Sequence, residues 1–442
     1  MRLISTRSMR QPVSFGLAAD GGLRLVLHVR PLAVGATVTA VAILFLVSGQ
    51  VLTNLGLPYG EPGGSALAKI HPASYAAVIA VALWIVAVGG PGPFLAKTWR
   101  DRPGALVFAI GILLLAVQAI GVQKLPASAI VDTFLLPLAL FLALTCLHGG
   151  ARDRLAAAAW MFFALNSALG IAEFATGWRL TPFTIAGVPI TYDWRATALI
   201  GHPLANAMAT GVVLILLASG AGPFGARTRI AVILLHLFAM VAFGGRAATV
   251  GAVLVLGAAA AYPAATILAG RRIRPADAAA GLLALTGIAL AAGLLVNVGA
   301  FDAFLGRFED DHGSAAARIA MFRIFDRVTL DQFLFVPSLG TLADTLRRLD
   351  LAIGIESFVL AFVAYYGAVV SALFFAALAA FTVEVLRTCT RAAVLPMLFF
   401  FAMSATSTGL SSKSVDFAIV IVTLMLLAPR EVPTLPARPP RC

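Results

Sequence analysis

From Pro31 to Leu427 the chain alternates long apolar runs with short polar breaks. The runs approach the roughly 20 residues that a helix needs to cross a hydrocarbon layer. The alternating ten-residue segments of a transmembrane β-barrel are absent. The pattern predicts an all-α, polytopic membrane protein with twelve spans: 32–53, 73–90, 104–121, 129–147, 155–175, 203–219, 230–243, 247–269, 278–299, 354–383, 392–409 and 415–429. Only a Gly244-Gly245-Arg246 turn parts the seventh from the eighth.

One interval breaks this rhythm. Residues 301–351 carry eight acidic and six basic side chains without a span, so a large loop at 300–353 is expected between helices 9 and 10. Within it, Ala317, Ala320, Met321, Ile324 and Val328 fall on one stripe at spacings of three and four. Arg323 and Arg327 share another face, so Ser314 to Val328 is expected to be an amphipathic helix at the membrane surface. Val336-Pro-Ser-Leu-Gly-Thr reads as a turn, and a second short polar helix should precede span 10. No soluble stretch is long enough for its own core. Residues 1–442 therefore read as one integral membrane domain, with a disordered proline-rich tail at 430–442.

Composition agrees: 60% of residues are hydrophobic and 12% charged, with mean hydropathy +0.96. Placing the N-terminus inside puts 20 basic and 6 acidic residues in the inner segments, a net +14, and leaves −2 outside, which together give the total of +12. This is the positive-inside bias. Both termini are expected in the cytoplasm, and the basic balance is a topology signal rather than a mark of nucleic-acid binding. No removable signal peptide is read before Arg30. Cys146, Cys389 and Cys442 lie at inner span ends or in the tail, so no disulfide framework is implied. No Cys/His cluster has metal-ligand spacing, and no cofactor motif occurs.

Polar groups at the outer face are where chemistry is expected. Arg195, Arg246 and Arg318 stand out, with Arg323 as a weaker fourth. A guanidinium stays charged and offers a planar fork, which suits a diphosphate ester; the bland alternative is that each arginine snorkels to the interface. Glu356, in Gly354-Ile-Glu-Ser-Phe-Val-Leu, stands at the mouth of span 10. A carboxylate entering an apolar span is costly, so it reads either as a general base or as half of an ion pair. Glu173 and Asp416 share that logic with weaker context. Asn166, Asn206 and Gln118 fit interhelical hydrogen bonds. His202 opens span 6 before Pro203 and reads as a substrate-side residue or a helix start. His71 and His312 lie in outer loops without evident partners. A secondary transporter with repeated halves and a structural subunit of a synthase complex are the rival classes.

Three segments together resemble the O-antigen ligase and O-antigen polymerase superfamily of bacterial inner-membrane proteins. They are Trp194-Arg-Ala-Thr-Ala-Leu-Ile-Gly-His-Pro-Leu-Ala-Asn-Ala, then Phe243-Gly-Gly-Arg-Ala-Ala-Thr, and the order Ser314-Ala-Ala-Ala-Arg318, Pro337-Ser-Leu-Gly340, Ile355-Glu-Ser-Phe-Val-Leu through Gly367. The resemblance covers about residues 155–385. Where ligases of that family carry histidine, commonly followed by asparagine, this chain has Glu356 and Ser357, which points to a polymerase-like member similar to those of exopolysaccharide and biofilm-matrix clusters. The resemblance implies inverting, metal-independent glycosyl transfer at the periplasmic face. The donor would be an undecaprenyl-diphosphate-linked oligosaccharide and the acceptor a lipid-linked repeat unit, with a flippase and a chain-length regulator as partners.

Overall fold

The structure is a computed structural model that describes residues 20–60, 63–185, 188–190, 195–268, 270, 319–335, 338–349, 351 and 354–430. Arg318, His312, the ninth predicted span at 278–299 and the tail beyond Arg430 lie outside the described residues. So do Trp194 and the Val336-Pro337 half of the predicted turn.

Seventeen α-helices run along the described residues. The first eleven are α1 (Asp20–Leu46), α2 (Gly49–Asn54), α3 (Pro72–Ala87), α4 (Pro91–Asp101), α5 (Pro103–Ala116), α6 (Ala127–Ile130), α7 (Leu136–Thr145), α8 (Gly150–Thr176), α9 (Pro203–Ala218), α10 (Ala226–Phe243) and α11 (Arg246–Leu268). They are followed by α12 (Leu330–Leu334), α13 (Leu339–Arg348), α14 (Phe358–Tyr366), α15 (Ala368–Thr388), α16 (Val394–Ser404) and α17 (Asp416–Leu427). Punctuation residues set many of the ends. Proline opens α3, α4, α5 and α9 at a position whose N–H has no intrahelical partner. Side-chain oxygens of Ser48, Thr329, Ser338 and Ser357 cap α2, α12, α13 and α14. Left-handed Gly177 and Gly244 close α8 and α10.

Six described helical segments are long and apolar enough to cross a membrane, seven if α3 and α4 are one bent span. This is the make-up of a helical membrane protein. The twelve predicted spans are not all matched by helices of that length. α9, α16 and α17 are shorter apolar helices, as is α11 over its described side chains. α1 begins at Asp20, ahead of the predicted start at 32, and ends at Leu46, with Ser48 starting a separate helix. The second span stops at Ala87, and α4 leaves at 101°. Helical geometry widens to the π form at Val117–Val122 and Val131–Leu135, at the ends of α5 and α7 that face one another. Between α8 and α9 lies a two-residue antiparallel hairpin, Thr184–Ile185 with Val188–Pro189.

The largest correction concerns span 10. The predicted stretch 354–383 is broken at Gly367 (φ +81°, ψ 156°) into α14 and α15. A Cβ at this position would meet the carbonyl oxygens of Phe335 and Leu334 at 2.8 and 2.9 Å, so both the dihedral and the close approach demand glycine. Nine residues of α14 rise only about 13 Å, too little to span. The crossing segment is α15, which packs along α5 through Phe374 and Phe381 around Phe108.

Loops meet at two opposite ends. At one, Gln50 Nε2 donates to Thr184 Oγ1, Asn54 to Pro182 O, Ala196 N to Ala242 O, Thr133 Oγ1 to Ser412 O, and Gln123 Nε2 to Tyr365 O. At the other, Gly104 N donates to Glu384, Thr390 N to Ala428 O and Arg152 to Met425 O. The first group joins the loops expected outside and the second joins those expected inside. The first is called the arginine end below.

A second, smaller core lies in the large loop. Met321, Ile324, Leu342, Leu351 and Ile355 are buried against Ala361 and Ala364 of α14. Residues Met321–Arg327 form a 3-10 turn rather than an α-helix. The predicted stripe thus packs partly on protein: Met321 and Ile324 are buried, while Ile319 and Phe322, outside it, are exposed.

Candidate functional site at the arginine end

The frame of the site is a buried polar network at the ends of α8 and α9. The Glu173 side chain is 2% exposed, and its carboxylate accepts hydrogen bonds from the backbone N–H of Leu180 (2.9 Å), Thr197 (2.8 Å) and Ala198 (2.8 Å). Thr197 Oγ1 donates to Thr181 O at 2.8 Å. Asn166 Nδ2 donates to Asn206 Oδ1 (2.8 Å) while its own oxygen accepts from Leu199 N (2.9 Å), and Asn206 Nδ2 reaches Thr197 O (2.6 Å). A buried polar group without a partner costs about 1–3 kcal/mol. This loop satisfies its backbone donors on side chains instead of on a helix ladder, which fixes its path. The asparagines behave as expected from the sequence. Glu173 does not: it is a loop brace rather than a reactive carboxylate.

On this frame sits Arg195, partly buried and one residue before Ala196, whose N–H donates to Ala242 O at 3.0 Å. That bond lays the Arg195 segment beside the α10–α11 turn. Gly244 closes α10 in the left-handed region, and Arg246 opens α11 as the sequence predicts. Gly245 packs on α9 so tightly that a Cβ would stand 2.4 Å from Ala207 Cβ. The structure therefore places two of the predicted arginines on adjoining backbone segments. His202 is exposed, stands at the N-cap of α9 and packs edge-on against Phe183 (5.5 Å).

Glu356 reaches the same end by another route. Gly251 of α11 abuts Met403 of α16, and the segment after α16 includes Thr408, which Gly354 approaches (3.9 Å from a built Cβ to Thr408 Cγ2). Glu356 is half-buried and immediately precedes Ser357, the cap of α14. It stands at the mouth of the short α14, not of the spanning helix. Arg323 is exposed and pairs with Asp326 at 3.8 Å, on the second core.

Sequence reasoning missed a second buried cluster. Asp132, fully buried in the π segment before α7, accepts from Tyr59 Oη (3.0 Å), Ser74 Oγ (2.7 Å) and His71 N (3.0 Å). Lys413 donates to Tyr59 O and stands 3.2 Å from the Tyr59 ring centroid, a cation–π contact. Burial lowers the Lys413 ammonium to about 8, against the pull of Asp132. Burial, then Asp132, holds the Tyr59 phenol well above its ordinary value. His71, expected to be partnerless, is buried: Nε2 lies 2.7 Å from Val47 O, and Nδ1 accepts from Ala73 N at 3.2 Å. Its burial lowers the imidazole pKa. The sequence signal available was Asp132 itself, an acid within an apolar run.

Among the described residues no three His, Cys, Asp or Glu side chains come together as metal ligands. No protein family, curated protein or solved structure matches the chain.

Proposed function

We propose that the protein is a polysaccharide polymerase of the bacterial inner membrane. In this reading it transfers a glycan from undecaprenyl diphosphate to a lipid-linked repeat unit at the periplasmic face. The observation that carries it is the adjoining of the Arg195 and Arg246 segments on a rigid polar frame, at the end where Glu356 also stands. The acceptor hydroxyl oxygen bonds to the anomeric carbon as the bond from that carbon to the diphosphate oxygen breaks. Glu356 takes the hydroxyl proton, and the lipid diphosphate leaves carrying the electron pair. Arg195, Arg246 and Arg318 stabilise its charge, the main electrostatic task of the step, with Arg323 and His202 at the margin. A ligase that delivers the glycan to lipid A core or another acceptor is the alternative, favoured by the resemblance and opposed by Glu356 standing where a histidine is expected.

Lipid-linked glycans from a deletion strain test the reading. Single repeats should accumulate if a polymerase is lost. Accumulated long chains would convert the assignment to ligase, and unchanged glycans would remove both.

A further inference from the structure

The opposite end holds a basic cavity that the proposed reaction does not use. Gly89 and Gly90 turn the chain after α3, and α4 departs at 101°. α4 therefore runs nearly perpendicular to α3. It buries Phe94 and Thr98 against the protein and exposes Leu95 (51%) and Trp99 (62%), four residues apart on another face. Such a helix, apolar on one flank and basic on another, is built for the interface.

Between α4, the start of α5 and the end of α7 lies a cavity lined by Lys97, Thr98, Asp101, Arg102, Thr145 and Cys146. The acids nearby are already engaged: Asp101 accepts from Arg100 at 2.9 Å, and Glu384 is shared between Arg102 at 3.8 Å and Arg387 at 3.7 Å. With these acids engaged, Lys97 and Arg102 leave a local positive excess beside the exposed Trp99.

We propose that this cavity binds the phosphate of an anionic glycerophospholipid. Lys97 and Arg102 hold the headgroup, and the acyl chains lie along the Leu95 and Trp99 flank. Basic pockets between helices at a membrane surface select anionic headgroups in this way. The exposed apolar flank is what favours a lipid over free phosphate.

The test titrates the delipidated full-length protein in detergent with phosphatidylglycerol or phosphatidylcholine of identical acyl chains, read by native mass spectrometry. Phosphatidylglycerol should bind more tightly. Lys97→Ala should weaken it roughly fivefold and leave phosphatidylcholine unchanged. Asp101→Asn removes the acid in the lining and should tighten phosphatidylglycerol, a gain that no folding defect imitates. Equal retention of the two lipids, or neither variant shifting phosphatidylglycerol, overturns the proposal. Displacement by millimolar inorganic phosphate overturns the lipid source and leaves a free-anion site.

Discussion

Glu173 and Glu356 both stand at helix mouths on the arginine end, yet their surroundings differ in kind. Glu173 is enclosed and accepts from three backbone N–H groups of the loop it faces. Glu356 is half-buried, on a segment between the second core and the capping Ser357 of α14. A carboxylate saturated by backbone donors has its lone pairs committed to holding a fold, so taking up a substrate proton would break the loop. A half-buried carboxylate can be reached by a substrate hydroxyl, as a general base must be. Position at a span mouth raises both residues as candidates, and their exposure separates them: Glu173 is enclosed at 2%, whereas Glu356 is only half-buried.

Two substitutions would break this contrast if it is wrong, and they carry the largest expected effects. Glu356→Gln should cut elongation of lipid-linked repeats by about a hundredfold or more, the scale of a lost general base, with the melting temperature in detergent unchanged. Glu173→Ala should do the reverse. It strands two buried N–H groups, those of Thr197 and Ala198, at about 1–3 kcal/mol each, and a part-buried third at Leu180, so the protein should melt lower and express poorly. Glu173→Gln should lie between, because one amide NH₂ must face a backbone N–H while the other oxygen keeps its donors. Wild-type elongation by Glu356→Gln, or wild-type melting of Glu173→Ala, would reverse the two roles.

Gly367 separates the mouth of α14 from the spanning α15, and it supplies the next largest effect. An alanine there must adopt φ near +81° and place its Cβ under 3 Å from two carbonyl oxygens. The dihedral alone costs about 1–3 kcal/mol, and the clash adds to it by pushing α12 away. Gly367→Ala should lower the melting temperature and increase protease cleavage in 330–349. An unchanged cleavage pattern would mean that the chain through 354–383 runs as the continuous span its hydropathy predicts.

That break shows where the sequence stops being legible. Helices such as α8, α10 and α15 follow from apolar runs, and the Arg246 turn follows from two glycines, because these are local signals. The break at Gly367 does not follow, since its cause is the carbonyl pair of Leu334 and Phe335, more than thirty residues earlier. Hydropathy reads α14 and α15 as one run because both are apolar. The same limit hid Asp132, whose donors Tyr59, His71 and Ser74 lie 58 to 73 positions away. Of the candidate site, Arg195 and Arg246 were legible as residues. Their adjacency was not, because it is made by long-range contacts such as the backbone hydrogen bond from Ala196 to Ala242.

The smallest expected effect concerns Lys413, whose cluster offers a third way of handling buried charge at this end. Its folded-state pKa, lowered to about 8 by burial, lies below the unfolded value of 10.5. Between these values the unfolded chain binds more protons than the folded one, so stability should rise with pH from about 8 towards 10. Tyr59 acts in the opposite sense only higher, since its raised pKa keeps the folded state protonated while the unfolded phenol ionises above 10. Lys413 is only partly buried, so solvent screening keeps the slope shallow. Melting temperatures of the detergent-solubilised protein should therefore climb slightly between pH 8 and 10, and Lys413→Met should flatten that climb. A wild-type curve already flat in this window would mean that Lys413 is solvated and that its contact with the Tyr59 ring carries no desolvation cost.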